Sequence, residues 1–100
     1  RKTLHEYAYL QEKDSMGSRY VINKTAIRIG RSEDNDICLL NDSISSHHAE
    51  LHIKRGLSFF VVDLNSTNGV FVNGEKVSQQ KLHDGDLIEL GEVRLNFKCS

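Results

Sequence analysis

Three short polar segments of the sequence contain the side chains that could hold an oxyanion. They are Gly30-Arg31, Ser45-Ser46-His47-His48-Ala49 and Ser66-Thr67-Asn68-Gly69. A guanidinium fork, short hydroxyls and main-chain N–H groups in a glycine-centred turn match the geometry of phosphate oxygens. No carboxylate, histidine or cysteine is placed to act on a phosphate once it is bound. The segments therefore predict a site that binds a phosphate group and leaves it intact.

The sequence also carries weak signs of two other kinds of site. His47, His48 and His52 could ligate a metal ion if positions 48 and 52 shared one face of a helix. The pattern after Ala49 is strand-like, however, and no thiol or carboxylate stands at ligand spacing. Catalysis is disfavoured because no nucleophile has a base at motif spacing and no Walker-type loop is present. We expect no enzyme activity, no metal and no cofactor.

Length and charge restrict the kinds of partner. The sequence has 100 residues, with 13 Lys and Arg against 14 Asp and Glu. A chain of this length forms one domain, and a net charge of -1 provides no field for nucleic acid or an anionic membrane. No apolar run approaches the roughly 18 residues of a membrane span. We expect a monomeric single domain over residues 1–100, with its core over 19–98, that binds neither nucleic acid nor membrane.

Cysteine usage and the first residues bear on location. Cys38 and Cys99 have no metal-ligand spacing and form no dense disulfide framework, so we expect free thiols, typical of a reducing compartment. The start of the sequence lacks the apolar stretch of a signal peptide. We therefore expect an intracellular, cytoplasmic location, or a nuclear one in a eukaryote. The sequence begins with Arg1 rather than Met, and we expect it to be a fragment of a longer protein.

Alternation of apolar and polar residues predicts β-strands along most of the chain. Alternating segments occupy residues 27–29, 49–54 and 93–98, and continuous apolar runs occupy 37–40 and 59–62. The continuous runs indicate strands that are buried on both faces or that change sheets. A first strand is expected within residues 1–13, where Leu4, Tyr7, Tyr9 and Leu10 are the apolar and aromatic residues.

Turn signals divide these segments at short intervals. They lie at residues 15–18, 55–56, 68–69, 73–74, 84–85 and 91. Asn73-Gly74 predicts a two-residue hairpin, since both residues tolerate the positive φ of a type I′ turn. Many short strands with no helical stripe predict an all-β sandwich.

Several motifs follow one another along the chain at characteristic spacing. They are Ile27-Arg28-Ile29-Gly30-Arg31-Ser32, Asn35-Asp36-Ile37, Ser45-x-x-His48-Ala49, Asp63-Leu64-x-Ser66-Thr67-Asn68-Gly69-x-Phe71-Val72-Asn73-Gly74 and Leu82-x-x-Gly85-Asp86-x-Ile88-x-Leu90-Gly91. Together they extend over about three quarters of the chain, and their order and spacing resemble those of the forkhead-associated (FHA) domain family. The resemblance implies an FHA-like β-sandwich of about eleven strands in two sheets, with ligand loops at one end. It also implies binding of phosphothreonine peptides in signalling or assembly.

The resemblance implies a contact with the phosphopeptide for five residues. Arg31 resembles the family arginine that pairs with the phosphate. Ser45 resembles the serine whose hydroxyl donates to a phosphate oxygen, with the main chain of Ser46 nearby. Thr67 resembles a second hydroxyl or main-chain donor, and Asn68 resembles the asparagine that contacts the ligand backbone.

Three further residues are expected to shape the site rather than touch the ligand. They are Gly30, His48 and Gly69, and the family histidine is implied to tie the loops together through hydrogen bonds. Ser46 departs from the Arg or Asn that many family members carry after the motif serine. Its shorter and uncharged side chain leads us to expect modest affinity, with a Kd of about 1 to 100 μM, or roughly -8 to -5.5 kcal/mol.

Two expectations concern the choice of ligand. Acidic residues near the site, at Glu33, Asp34, Asp36 and Asp42, predict a preference for neutral or basic residues C-terminal to the phosphothreonine. The resemblance implies a small pocket for the threonine methyl group, which would disfavour phosphoserine by about tenfold or more. The alternative to phosphopeptide binding is a phosphate-independent interaction scaffold of the same fold.

Overall fold

The computed structural model describes residues 8–14, 17–54 and 58–99, which form eleven β-strands. The strands are β1 (Ala8–Glu12), β2 (Arg19–Val21), β3 (Ala26–Gly30), β4 (Ile37–Cys38), β5 (Ala49–Lys54), β6 (Ser58–Asp63), β7 (Val70–Val72), β8 (Glu75–Val77), β9 (Gln79–Leu82), β10 (Leu87–Leu90) and β11 (Val93–Cys99). They make a six-stranded sheet in the order β2-β1-β11-β10-β7-β8 and a five-stranded sheet in the order β4-β3-β5-β6-β9. The predicted all-β architecture is confirmed.

The core lies between the two sheets and is built by alternate residues of each strand. In β11, Leu95 and Phe97 are fully buried, whereas Lys98, the residue after Phe97, is exposed. Phe97 meets Phe59 of the opposite sheet with ring centroids 5.1 Å apart. Such tilted aromatic contacts add to the burial of apolar area that holds two sheets face to face.

The structure corrects the interpretation of the two continuous apolar runs. In β6, Phe59 and Val61 are buried, whereas Phe60 and Val62 are only partly buried on the outer face, so this strand has one buried face. The run beginning at residue 37 forms a strand of two residues, and the chain then turns so that Leu40 is 82% exposed. Apolar composition alone therefore overestimated burial in both places.

The turns and strand ends follow the sequence signals where the structure describes them. Asn73 and Gly74 have φ values of 51° and 90° and connect β7 to β8, as a two-residue hairpin with positive φ at both positions requires. The expected first strand corresponds to β1, and the part of it over residues 1–7 lies outside the described residues. Residues 15–16 of one predicted turn and the whole of another, at residues 55–56, also lie outside the described residues. No helix in the described ranges is long and apolar enough to cross a membrane.

Three loops meet at one end of the sandwich. The β3–β4 loop covers residues 31–36, the β4–β5 loop covers 39–48 and the β6–β7 loop covers 64–69. β3, β5 and β6 are neighbours in the five-stranded sheet, so their ends bring these loops together. The β6–β7 loop then carries the chain across to the six-stranded sheet.

Candidate functional site

Arg31 lies where β3 ends, and the main chain of the β4–β5 loop holds it in place. Its N–H donates to the carbonyl oxygen of Ser45 at 3.0 Å, and its Nε donates to the carbonyl oxygen of Ile44 at 2.9 Å. One of the five guanidinium N–H donors is thereby used. The residue is exposed, and its terminal nitrogens make no hydrogen bond within the part of the chain that the structure describes. The guanidinium is fixed at its base and presents its outer edge to solvent.

Ser45 faces the same solvent-exposed surface from the β4–β5 loop. Its Oγ accepts a hydrogen bond of 3.0 Å from the Thr67 N–H. A hydroxyl has one hydrogen to donate, and because Oγ is here an acceptor, that hydrogen stays available for another oxygen. The N–H of the next residue, Ser46, also has no partner among the described residues, and its side chain is exposed. Two donors therefore lie side by side next to Arg31.

The β6–β7 loop supplies the third part of the site. The Thr67 N–H is already bonded to Ser45, so only the exposed Thr67 hydroxyl is available as a donor. Asn68 donates through Nδ2 to the carbonyl oxygen of Ser43 at 2.8 Å. This bond orients the amide and leaves its Oδ1 without a partner in the described chain. The two side chains thus extend into solvent beside the donors of the β4–β5 loop.

His48 connects the loops from inside the protein and has no exposed surface. Its Nε2 lies 2.8 Å from the carbonyl oxygen of Gly69, and its Nδ1 accepts the Ser45 N–H at 3.1 Å. Because Nδ1 is an acceptor, the proton of the neutral ring belongs on Nε2, where it donates to Gly69. The main chain of His48 also bonds Ile29 and Leu64, at 2.9 and 3.0 Å. One imidazole thus positions both Ser45 and the turn after Asn68.

Asn35 is a further residue that shapes the site, although sequence reasoning assigned it no role beyond membership of a motif. Its side chain is buried, and Nδ2 donates to the carbonyl oxygens of Ser32 at 2.7 Å and Ser46 at 2.8 Å. Ser46 also accepts the Ser32 N–H at 3.2 Å. These bonds hold the β3–β4 loop against the β4–β5 loop. The only available signal was a pair of polar residues, Asn35-Asp36, before the apolar run that begins at Ile37.

The β6–β7 loop is closed by a second local motif. The carboxylate Oδ1 of Asp63 accepts from the N–H and Oγ of Ser66, at 3.1 and 2.7 Å, and Ser66 Oγ in turn accepts the Gly69 N–H at 2.9 Å. Asp side chains commonly stabilise turns by accepting hydrogen bonds from main-chain N–H groups shortly after them in the chain. The spacing from Asp63 to Ser66 could have identified Ser66 as a residue that shapes the loop.

Gly30 allows the closest main-chain approach in the site. A Cβ at this position would overlap the carbonyl oxygen of Ser46 and lie 2.8 Å from Asn35 Nδ2. The Ser46 carbonyl is held by two hydrogen bonds and cannot move without breaking them. Position 30 therefore requires glycine because there is no room for a Cβ, and not because the backbone there has a positive φ.

We expect Gly30→Ala to lower the free energy of unfolding by about 3 kcal/mol, because the new methyl group displaces a fixed carbonyl. Urea denaturation of the purified domain measures this change. Gly74→Ala is the control, since a Cβ there meets nothing within 4 Å and only the positive φ of 90° is unfavourable, at about 1 kcal/mol. Equal losses in the two variants would contradict the predicted steric overlap.

The acidic residues around the site are partly neutralised. Asp36 accepts the Arg28 N–H and pairs with Lys24 at 2.5 Å, and these two contacts lower the pKa of its carboxyl group. The pKa of Asp34 is lowered by a hydrogen bond from Ser32 and by His47, whose Nε2 lies 3.0 Å away. Because of these contacts, fewer carboxylates near the site are without a partner than the four acidic residues counted in the sequence.

The structure does not assemble the histidines into a metal site. His48 has both ring nitrogens bonded within the loops, and His52 lies on strand β5, where it contacts Glu50 at 2.6 Å. In residues 8–14, 17–54 and 58–99, no group of three or more His, Cys, Asp or Glu side chains could hold a metal ion.

Comparison with known proteins identifies similar sequences. The FHA domain family matches residues 27–91. The chain is 40% identical over 81 residues to the glycogen accumulation regulator GarA of Mycolicibacterium smegmatis, covering 81% of this chain and 51% of GarA. It is 39% identical over 94 residues to the transcriptional regulatory protein EmbR of Mycobacterium tuberculosis, covering 93% of this chain and 24% of EmbR. The chain thus spans about half the length of GarA and about a quarter of EmbR.

Solved structures resemble the fold closely. M. tuberculosis EmbR in complex with a low-affinity phosphopeptide superposes with a TM-score of 0.88 at 38% identity, over 94% of this chain and 24% of that one. The FhaA FHA domain, complexed with the intracellular domain of Rv3910, superposes with a TM-score of 0.85 at 34% identity, over 91% and 99% of the two chains.

Proposed function

Because the chain belongs to the FHA domain family, we propose that it is a phosphopeptide-binding module that recognises phosphothreonine in a partner protein or in its own parent chain. One observation carries the proposal. The terminal nitrogens of Arg31, the hydroxyl hydrogen of Ser45 and the N–H of Ser46 are unused donors on one surface, joined by the bond from Arg31 to Ser45. The phosphopeptide bound to the related EmbR structure supports the same chemistry.

The proposed mode of binding assigns each donor a task. The outer edge of the Arg31 guanidinium pairs with two phosphate oxygens, and the hydroxyl of Ser45 and the N–H of Ser46 donate to the phosphate oxygens beside it. Thr67 adds its hydroxyl, and Asn68 bonds the main chain of the ligand next to the phosphothreonine. Charge-assisted bonds of this kind each contribute about 1.5 to 3 kcal/mol.

Binding without chemical change is part of the proposal. His48 has no free ring nitrogen, and Asp63 uses its carboxylate to close the β6–β7 loop. Neither group is placed to deliver a water molecule to phosphorus. The thiols of Cys38 and Cys99 are free, which supports a location in a reducing, intracellular compartment such as the cytoplasm.

A fluorescence-anisotropy titration tests the function directly. The domain is titrated against a degenerate phosphothreonine peptide pool, its unphosphorylated twin and a phosphoserine version. We expect saturable binding of the phosphothreonine pool with a Kd of about 1 to 100 μM, and at least about tenfold weaker binding of phosphoserine. Equal binding of phosphorylated and unphosphorylated pools would favour the phosphate-independent scaffold instead.

Ser45→Ala tests the hydroxyl donor. The variant loses the bond to the phosphate and the acceptor for the Thr67 N–H, and we expect phosphothreonine binding to weaken by about tenfold. Ser46→Ala is the matched control, because the Ser46 side chain is exposed and the proposed contact uses its main chain. An unchanged Kd in Ser45→Ala, or an equal loss in Ser46→Ala, would contradict the assigned roles.

A further inference from the structure

Lys76 extends from an edge strand toward the proposed ligand site. It lies in β8 and pairs across the sheet with Phe71, the second residue of β7. Its Cε nevertheless lies 2.9 Å from the position that a Cβ would take at Gly69, and its Cδ lies 3.6 Å away. The side chain therefore runs along the sheet toward the β6–β7 loop. Its methylene groups cover Gly69, which is buried and follows Asn68 in the loop, so the ammonium, one bond beyond Cε, lies near the β6–β7 loop.

The ammonium of Lys76 has no partner among the described residues, unlike several other lysines. Lys24 pairs with Asp36 at 2.5 Å, Lys98 lies 3.9 Å from Asp84, and Lys54 lies 4.9 Å from the centre of the Phe60 ring. Lys76 is exposed, yet its methylene groups pack against Gly69. A packed stem with a free head group loses little further conformational freedom when it binds an anion.

The charges around the site are unevenly distributed. On the side of the β3–β4 loop, Glu33 is an exposed carboxylate with no partner in the described chain, whereas its neighbour Asp34 contacts His47. Hydrogen bonds connect the loops in series, from the β3–β4 loop through the β4–β5 loop to the β6–β7 loop, against which Lys76 packs. Arg31, Ser45 and Thr67 thus lie between a negative side and a positive side.

We propose that Lys76 is a specificity-determining residue that binds an acidic side chain of the ligand flanking the phosphothreonine. This inference rests on the proposed function. An acidic residue is favoured where the peptide passes the β6–β7 loop and β8, and disfavoured where it passes Glu33. The acidic residues in the sequence led us to expect neutral or basic residues C-terminal to the phosphothreonine; we propose instead that Lys76 favours an acidic residue on the side of the ligand that passes β8.

A charge scan of the ligand tests the proposal. One phosphothreonine peptide is made with Asp, Ala or Lys at each position on both sides of the phosphothreonine, and each version is titrated against the wild-type domain and Lys76→Met. Methionine keeps an unbranched stem over Gly69 and removes the charge. Lys81→Met is the matched control, because Lys81 is an exposed lysine on β9 in the other sheet.

In the wild type, we expect Asp to improve binding over Ala by about two- to fivefold at positions on one side of the phosphothreonine. Lys76→Met should abolish that gain and leave the affinity for the Ala peptide unchanged, while Lys81→Met should keep the gain. Persistence of the gain in Lys76→Met, or an equal loss for all peptides, would overturn the role of Lys76. A wild-type domain that binds phosphorylated and unphosphorylated peptides alike would overturn the proposed function and this inference together.

Discussion

Arg31→Ala is expected to weaken phosphothreonine-peptide binding by at least about 100-fold, which corresponds to about 2.7 kcal/mol. We expect this loss because the Nε bond to the Ile44 carbonyl at 2.9 Å anchors the guanidinium and leaves its two terminal nitrogens free for the phosphate. Two charge-assisted bonds to phosphate disappear together in the variant. With a wild-type Kd of about 1 to 100 μM, the variant should show no saturation in an anisotropy titration.

Two further variants test whether the loss of affinity comes from the Arg31 guanidinium itself or from the change in net charge. Arg31→Lys keeps the charge but loses both the fork and the bond to Ile44, so we expect an intermediate loss of about tenfold. Arg28→Ala removes a nearby exposed arginine that instead pairs with Glu50 at 3.2 Å, and its Kd should stay within about twofold of wild type. If Arg28→Ala weakened binding as much as Arg31→Ala, a general effect of net charge would explain both.

The same series separates the two candidate functions. Arg31→Ala removes one hydrogen bond to main chain, so its thermal unfolding should stay close to wild type and its sheets should remain intact. Binding of a partner to a sheet face would therefore be unaffected by Arg31→Ala. Binding that survives in Arg31→Ala and does not require phosphate would therefore identify a scaffold.

The strands could be predicted because their causes are local. Alternation along residues 49–54 and 93–98 corresponds to β5 and β11, and the dipeptide Asn73-Gly74 has the positive φ values its type I′ hairpin needs. The prediction was wrong for the continuous apolar runs, since a partly buried outer face, as in Phe60 and Val62, has the same composition as a buried one. Burial depends on what packs against a strand, which periodicity does not encode.

The contacts that brace the loops depend on partners far along the chain. Ser43 Oγ accepts the Glu92 N–H at 2.8 Å, and its carbonyl oxygen accepts Asn68 Nδ2 at 2.8 Å. A Cβ at Gly91 would lie 2.5 Å from that same carbonyl oxygen, so this glycine is needed where the two turns touch. No pattern of neighbouring residues reveals such pairs. Motif order placed the proposed ligand-binding residues on the loops, whereas the residues that brace the loops could be identified only from the folded chain.

The charge around the proposed site also could not be predicted from the sequence alone. The sequence contains four acidic residues near the site, yet Asp36 is paired with Lys24 and Asp34 with His47 once the loops are folded. Lys76 comes after the β6–β7 loop in the sequence and returns to it only because β7 and β8 form a hairpin. Charge counted along the chain therefore differs from charge at the site.

His48→Ala is expected to lower the free energy of unfolding by about 3 to 4 kcal/mol, because it opens a cavity at a fully buried position and removes two hydrogen bonds. Urea denaturation measures the loss. His52→Ala is the control from the same segment, since His52 is partly exposed and bonds only the Glu50 side chain in the described structure. Its cost should stay below about 1 kcal/mol.

His48→Phe separates the packing of the ring from its hydrogen bonds. The phenyl ring fills much of the same space but leaves the Ser45 N–H and the Gly69 carbonyl oxygen without their partner. We expect a smaller loss of stability than in the alanine variant, about 2 kcal/mol. Phosphothreonine binding by the folded protein should still weaken by about tenfold, because Ser45 and the β6–β7 loop are no longer held in position relative to each other. Wild-type affinity in His48→Phe would show that packing alone positions the loops.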